Sequence, residues 1–372
     1  MADLDTAALK ENFAAVAAHG GDEVALHFYS YLFYRHPETR QMFPPRMTRQ
    51  RDRLVSALGH IVSNVDEVGD LVPFLQDLGR DHRKFGALAG HYPAVGEALI
   101  VTLRHFSGAN WTDKLEEDWT AAYGLVAQAM LAAADEAAAS QPPFWAGEIV
   151  AVEHRTIDIA VVRIRPHEPP PYRAGQSLSL ELADLRPREW RWYSPASKPG
   201  GKEFEIHTRL IDGGPVSTTL VTRATVGTRV RLGAPVGRIV LDDESERPLL
   251  MIAGSTGLAP MKAMIEQLAE DGGRPTHLFF GARTAREIYD GPAIDELDRA
   301  NEWLSVVTAI SDDRHWKGER GLIGDVALAH GEWTGHDTYV CGSPAMVEST
   351  VKLLVANGVP EGQIYFDEFG ES

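Results

Sequence analysis

Four consecutive residues, Arg191-Trp192-Tyr193-Ser194, combine side chains that could hold a planar cofactor with a phosphate tail. On a strand, an aromatic ring beside an arginine could pack on an isoalloxazine while the guanidinium binds pyrophosphate through two charge-assisted hydrogen bonds. The hydroxyl of Ser194 could then hydrogen-bond the N5 side of the ring system. The same tetrapeptide also fits an ordinary strand surface, so its neighbours must decide between the two.

Two motifs flank this tetrapeptide. Tyr172 opens the run YRAGQ before it, and the run GGPVS, with Gly214, Val216 and Ser217, follows it. The second run predicts the start of a short helix. Free backbone N–H groups and small residues at a helix start form an anion site. A phosphate-binding turn is therefore expected close to the tetrapeptide.

Two glycine turns near the end of the chain each join an apolar run to a predicted helix. Strand, glycine turn and helix is the order that a phosphate-binding crossover needs, although one such turn is a weak signal. The cysteine that begins the second turn also fits a small buried apolar residue. The residues of the two turns are Gly254, Thr256, Gly257 and Pro260 in GSTGLAP, and Cys341, Gly342 and Pro344 in CGSPAM.

One histidine lies in an apolar helical stripe of the first third of the chain. Leu71, Leu75, Leu78, His82 and Phe85 recur at four- and three-residue steps, which predicts one helical face. A lone histidine in such a stripe is more often a satisfied core residue than a ligand.

Two more predicted helices converge on this histidine. The helix 22–35 carries Tyr29 and is followed by Phe43 in a proline-bounded corner, and the helix from about Thr48 places Gln50 and Leu54 along one side. An apolar pocket with one tyrosine and one glutamine suits a diatomic ligand of iron. An ordinary helical core remains the alternative.

Length and composition limit the classes of protein that these residues can belong to. The 372 residues, 44% of them hydrophobic, exceed one core and predict three domains. The net charge of −17 argues against a nucleic-acid partner or an anionic membrane surface. Without an apolar run of about 18 residues or a basic leader, we expect a cytoplasmic protein with no transmembrane segment. The one cysteine excludes a four-cysteine iron–sulfur site.

The hydrophobic period changes twice along the chain. Residues 1–140 break into amphipathic helical runs, and Gln141-Pro142-Pro143 stops the last of them. Residues 141–246 alternate apolar and polar residues in short runs between turns, which predicts a small antiparallel β-barrel. Residues 247–372 alternate strand and helix patterns, which predicts an α/β domain with a parallel sheet.

The first segment resembles the globin domain of flavohaemoglobins. The runs HFYSYLFYRHPETRQMF, QRDRL and DHRKFGALAGHYPAVGEAL match that family in order and spacing. The resemblance implies that His82 is the proximal ligand of haem iron and that Phe43 lies against the haem. It also implies that Tyr29, Gln50 and Leu54 line the distal pocket and that Tyr92 is the proximal tyrosine.

The proximal side departs from the family pattern in two places. Asp81 precedes the histidine where the family usually has a basic residue. An ungapped match puts Ala134 at the position of a glutamate that hydrogen-bonds the proximal histidine, with Asp135 and Glu136 adjacent. Either a one-residue slip restores an acid, or the electron donation to iron is weaker here.

The rest of the chain resembles the ferredoxin-reductase family. By that similarity, Arg191 and the GGPVS turn share the pyrophosphate of FAD, the two glycine turns hold NAD(P)H, and Cys341 lies against the nicotinamide. The run IYFDEF matches a carboxy-terminal strand whose aromatic residue, Phe369, covers the flavin. Arg283 and Arg286 could contact a 2′-phosphate or be surface charges, so NADH and NADPH both remain open.

Together, these resemblances imply a flavohaemoglobin containing haem b and FAD. A nicotinamide gives two electrons as hydride and haem accepts one, so a flavin must connect them. The family's associated reaction is nitric oxide dioxygenation, in which NO and O2 give nitrate at the expense of NAD(P)H, with no obligate protein partner. Two alternatives stay open: an NAD(P)H-dependent haem and flavin oxidoreductase with another oxidant, or a gas-sensing globin that its reductase resets.

Overall fold

The computed structural model describes residues 4–44, 46–186, 188–237 and 239–368, which form two compact units divided between Phe144 and Trp145. No helix in these ranges has the length and apolar character needed to span a membrane. The first unit is helical, as predicted. Its helices are α1 (Thr6–Gly20), α2 (Asp22–Arg35), α3 (Thr48–Ser63), α4 (Val68–His82), α5 (Tyr92–Ser107) and α6 (Asp113–Ala138).

Helix α4 ends at His82, and this corrects one detail of the predicted stripe. Arg83–Phe85 form a 3-10 turn, and Gly86 follows with a φ of 80°. Phe85, expected on the same helical face as His82, instead lies in that turn with 38% of its surface exposed. The left-handed φ suits glycine and ends the 3-10 turn that follows α4.

Helices α4 and α6 approach each other closely. A Cβ atom on Gly79 would lie 2.2 Å from the Met130 carbonyl oxygen, so only glycine permits this contact. Leu71 and Leu75 pack with Met130 on the same side. The helix that carries His82 is therefore held directly against the backbone of α6.

The second unit begins with an antiparallel barrel. Its strands are ordered β4-β3-β6-β1-β2-β5. A bridge between Pro195 and Ile206 brings the two edges of this order together, so the barrel is nearly closed. The elements are β1 (Trp145–His154), β2 (Ile159–Pro166), β3 (Leu178–Leu182), β4 (Trp190–Tyr193), β5 (Phe204–Arg209), α7 (Pro215–Thr222) and β6 (Arg229–Leu232).

A parallel sheet follows, ordered β10-β9-β8-β7-β11-β12. The chain runs outward from β7 to β10 and then returns to β11 on the other side of β7, so the ends of β7 and β11 meet at a topological switch point. The fold class predicted from the sequence is confirmed in all three parts. The elements are β7 (Leu249–Gly254), α8 (Leu258–Glu270), β8 (Thr276–Ala282), α9 (Gly291–Ala300), β9 (Leu304–Ile310), β10 (Glu319–Arg320), α10 (Ile323–His330), β11 (Asp337–Gly342), α11 (Pro344–Ala356) and β12 (Ile364–Glu368).

The barrel and the parallel sheet share one hydrophobic core. Ile159, Val161 and Ala174 of the barrel pack with residues of β7, α8 and β11. This common core fixes the barrel against the sheet and positions the candidate groups of the second unit.

Candidate functional site

The imidazole of His82 has the geometry of a metal ligand. Its Nδ1 lies 2.7 Å from the carbonyl oxygen of Leu78, one turn earlier in α4. A carbonyl only accepts, so Nδ1 carries the proton and Nε2 keeps its lone pair. Burial lowers the pKa of His82, while the Leu78 carbonyl and the Asp81 carboxylate oppose that effect. The neutral, ligand-competent imidazole is thus favoured.

Two acidic residues, Asp81 and Asp135, act on the proximal side, where Ala134 occupies the position expected for a glutamate. Asp81 acts electrostatically on His82 and forms an ion pair of 2.5 Å with the buried Lys84. Burial and the charge of Asp135 both raise the pKa of Tyr92. The acid next to Ala134 therefore acts on the predicted proximal tyrosine, whereas the histidine is held by a backbone carbonyl.

Tyr29 and Gln50 form a polar pair in an apolar surrounding. The Nε2 of Gln50 donates to the Tyr29 hydroxyl at 3.1 Å, and that hydroxyl donates to the Gln50 backbone oxygen at 3.4 Å. Tyr29 is 4% exposed, and burial raises its pKa to about 12, so it remains a proton donor. The ring of Phe43 meets it edge-on at 5.4 Å, and Leu54 packs against the same core. The structure thus brings Tyr29, Gln50 and Phe43 into contact, with Leu54 in the same core.

Three residues of the tetrapeptide, Arg191, Trp192 and Tyr193, lie in β4, and Ser194 directly follows that strand. The Arg191 guanidinium is 2.5 Å from a carboxylate oxygen of Glu189 and donates to the Trp190 carbonyl at 2.9 Å. The hydroxyl of Ser194 is 2.9 Å from that of Ser177. Burial raises the pKa of Tyr193 to about 12. Trp192 lies opposite Ser179 in the β3–β4 ladder.

The two flanking motifs have different environments. Tyr172 lies in the barrel core and donates to the carbonyls of Ser197 and Lys198 at 3.0 and 2.9 Å. At the start of α7, the hydroxyl of Ser217 accepts from the Ile211 N–H and donates to the Gly214 carbonyl. Val216, between them, is fully buried. The GGPVS turn is therefore preformed, while Tyr172 supports the barrel from inside.

The two turns predicted to bind the nucleotide meet at the sheet switch point. A Cβ atom on Gly257 would lie 2.2 Å from the Cys341 carbonyl oxygen, so glycine is required where the turn after β7 touches the end of β11. Gly254 and Gly342 face the side chain of Met346 in α11. The remaining turn residues are Thr256 in the 3-10 turn Ser255–Gly257, Pro260 buried in α8 and Pro344 at the first position of α11.

An arginine that the sequence did not single out contacts the first turn. Arg209, the last residue of β5, donates to the Ser255 hydroxyl at 3.1 Å and forms an ion pair with Asp158 at 2.8 Å. Ser255 has a φ of 52°, which is uncommon for a residue other than glycine. A barrel side chain thus supports a left-handed residue in the turn after β7. No spacing motif marks Arg209, because its partners come from three separate segments.

Comparison with known proteins assigns the three parts of the chain. Residues 26–130 match the globin family, 148–241 the oxidoreductase FAD-binding domain and 251–352 the oxidoreductase NAD-binding domain. Flavohemoproteins of Bacillus subtilis and Bordetella parapertussis are 26% and 28% identical, over 100% of this chain and 98% and 99% of their own. The chain belongs to the flavohaemoglobin family.

One partial relative and one distant structural neighbour share all or part of this architecture. The ferredoxin–NAD(P)+ reductase component of a naphthalene 1,2-dioxygenase system from Pseudomonas putida is 33% identical over 63% of this chain and 72% of its own length. A flavohaemoglobin from Malassezia yamatoensis, whose crystal structure has FAD and haem bound, shares the fold with a TM-score of 0.83 at 18% identity and 99% coverage of both chains.

Haem, FAD and NAD(P)H are accordingly the cofactors of this flavohaemoglobin. The available Nε2 of His82 fits haem iron, and the preformed GGPVS turn fits a pyrophosphate. The glycine-only contact between Gly257 and Cys341 fits the close packing of turn against strand in a dinucleotide-binding crossover. Phe369, expected over the flavin, lies outside the described residues.

Proposed function

We propose that this flavohaemoglobin is a nitric oxide dioxygenase. Two NO and two O2 would consume one NAD(P)H and yield two nitrate ions, NAD(P)+ and a proton. In this proposal residues 1–140, 141–246 and 247–372 are the haem, FAD and NAD(P)H domains. The cytoplasmic location and the independence of a protein partner expected from the sequence belong to the same proposal.

The observation that carries this proposal is the buried pair of Tyr29 and Gln50. When bound, haem supplies an iron centre that takes up diatomic gases and single electrons. A protonated phenol in an apolar pocket stabilises partial negative charge far better than the same group in water. Gln50 orients that phenol through its 3.1 Å hydrogen bond. The ring of Phe43 and the aliphatic side chain of Leu54 pack against the same core and would exclude water from this space.

The residues of the second unit would deliver the electrons. Arg191 and the Gly214–Ser217 turn would hold the flavin pyrophosphate, and the turns at Gly257 and Gly342 would hold the nucleotide. A bound NAD(P)H supplies a hydride, and the shared core of barrel and sheet keeps donor and acceptor in register.

A second candidate function rests on the hydrogen bond of His82. Its Nδ1 bonds to a backbone carbonyl, a weaker acceptor than a carboxylate, and electron donation from the imidazole is reduced accordingly. Such a site suits an NAD(P)H-dependent haem and flavin oxidoreductase that passes its electrons to another oxidant and does not carry out NO dioxygenation.

The purified holoprotein distinguishes the two functions. NO loss at an electrode, NADH oxidation and nitrate should be followed with and without O2. For a dioxygenase we expect NO loss that requires both NADH and O2 and yields one nitrate per NO. NADH oxidation under air that is unaffected by NO and leaves no nitrate would favour the second function.

A further inference from the structure

Four buried polar side chains lie where the barrel packs on the parallel sheet. His207 comes from β5, Lys262 from α8, and Tyr289 and Asp290 from the turn before α9. Each is at most 8% exposed. The Nδ1 of His207 is 2.7 Å from the Tyr289 hydroxyl, and the two rings meet edge-on at 5.3 Å.

The charges around His207 are compensated by pairs from both layers. The Lys262 ammonium is 3.1 Å from a carboxylate oxygen of Glu205 in the barrel and 3.3 Å from one of Asp290 beside the sheet. Arg155, in the β1–β2 hairpin, lies 3.6 Å from the other Asp290 oxygen. Buried charges persist only when paired in this way, so the cluster ties the two layers together.

This arrangement determines which nitrogen of His207 carries the proton. Nε2 is buried without a hydrogen-bond partner and lies 3.9 Å from a carboxylate oxygen of Asp290. A lone pair facing that carboxylate would be repelled, so the proton belongs on Nε2. Nδ1 must then accept, and the Tyr289 hydroxyl donates to it. The bond between barrel and sheet therefore has a defined direction.

The His207–Tyr289 hydrogen bond lies close to both turns that are predicted to bind the nucleotide. Two residues beyond His207 on β5, Arg209 donates to Ser255 in the turn after β7. Tyr289 packs in the same core as Cys341, the first residue of the second turn. A shift of the His207–Tyr289 contact would move the flavin barrel relative to the nucleotide turns.

We propose that His207 and Tyr289 are positioning residues for hydride transfer from NAD(P)H to FAD, with Lys262 and Asp290 holding them in place. The proposal rests on the electron path of the proposed function as far as the flavin and is independent of the fate of NO. Hydride transfer depends steeply on distance and angle, so a small relaxation of this contact slows the step without weakening nucleotide binding.

The test compares holoprotein variants in anaerobic single-turnover reduction of the flavin by NADH. His207→Leu and Tyr289→Phe should each lower the limiting rate constant by about tenfold, with the apparent Kd for NADH and the FAD content unchanged. His207→Gln can still accept from Tyr289 and donate toward Asp290, so it should stay within about twofold of wild type. Tyr339→Phe is the matched control, because it removes another buried hydroxyl, one that donates to the Val240 carbonyl at 3.2 Å.

A second measurement uses pH. Burial is the main cause that lowers the pKa of His207 to about 4, with Asp290 and Glu205 raising it and Lys262 and Arg155 lowering it. The unfolded chain therefore binds more protons than the folded chain between the ordinary pKa of about 6.5 and 4. The thermal midpoint of wild type should fall as pH drops through this range, and that of His207→Gln should fall less.

Normal flavin reduction in folded His207→Leu and Tyr289→Phe would overturn the proposal. So would a His207→Gln variant as slow as His207→Leu, or a slowing that follows loss of FAD. Failure of the proposed function has a different signature: wild type would reduce its flavin with NADH but consume no NO.

Discussion

The two units differ in how many polar partners hold each candidate side chain. In the helical unit, the imidazole of His82 is oriented by one backbone carbonyl, and Tyr29 has one side-chain partner inside an apolar chamber. In the second unit, Arg191 is already bound to Glu189, and Arg209 reaches Asp158, Ser255 and Glu287.

This difference follows from the chemistry that each unit supports. A metal ligand needs one available lone pair and a dry surrounding, so few polar groups are useful near it. Hydride transfer needs fixed geometry between two large cofactors, which a network of charge-assisted hydrogen bonds supplies. A substitution in the helical unit should therefore act directly on haem or its bound gas. A substitution in the second unit should act through the network of hydrogen bonds and ion pairs that positions FAD and NAD(P)H.

The largest effect is expected at His82. In His82→Ala we expect loss of essentially all haem with FAD retained, because the Nε2 lone pair disappears. The measurement is the ratio of haem to flavin absorbance in purified protein, with the exposed His19→Ala as control. Normal haem content in His82→Ala would show that another residue binds the iron.

Arg191 should give the next largest effect. Loss of a charge-assisted contact costs about 1.5–3 kcal/mol, so Arg191→Ala should weaken FAD binding roughly ten- to hundredfold while haem stays bound. Glu189→Gln should strengthen FAD binding, because it releases the guanidinium from its present partner. FAD titration of both variants, with Arg186→Ala as control, checks this pair. Equal FAD affinity in all of them contradicts the assignment.

A smaller effect is expected at Tyr29, whose hydroxyl is the single group expected to hydrogen-bond the gas in the helical unit. Tyr29→Phe should speed O2 dissociation by about tenfold through loss of one hydrogen-bond donor. Flash photolysis measures this rate, and Tyr34→Phe, 83% exposed on the same helix, is the matched control. An unaltered O2 dissociation rate in Tyr29→Phe would mean that the hydroxyl does not contact the ligand.

The smallest effect concerns the nucleotide. The Arg283 guanidinium lies 2.8 Å from Glu287, and that hydrogen bond together with the charges of Glu287 and Asp312 raises the pKa of Arg283. A 2′-phosphate there would meet carboxylates, so we expect a preference for NADH. Glu287→Gln should improve kcat/KM for NADPH by about fivefold. Glu302→Gln is the control, and an NADPH preference in wild type would contradict this reasoning.

Sequence patterns predicted most of the architecture, because periodicity reports which face of an element is buried. Helix α2 has the predicted bounds, Asp22–Arg35. The predicted helical stripe was wrong at Phe85, because α4 ends at His82 and Phe85 lies in the 3-10 turn that follows.

Groups that act through long-range contacts could not be found in the same way. Glu189 lies two residues from Arg191 and could have been noticed, but His207 and Tyr289 are 82 residues apart, and no local period connects them. Within the site, residues of recognisable motifs were predictable and their supporting partners were not. The predicted roles of the motif residues stay predictions until the variants are measured.

The burial of Cys341 bears on chemical durability. A protein that handles NO and O2 works among reagents that nitrosate and oxidise thiolates. Its one thiol has 0% exposure, and burial raises the pKa of that thiol well above its ordinary value, so very little reactive thiolate forms. Under the proposed function, the buried, protonated thiol of Cys341 would lie beside the nicotinamide but react only slowly with NO, O2 and their oxidising products.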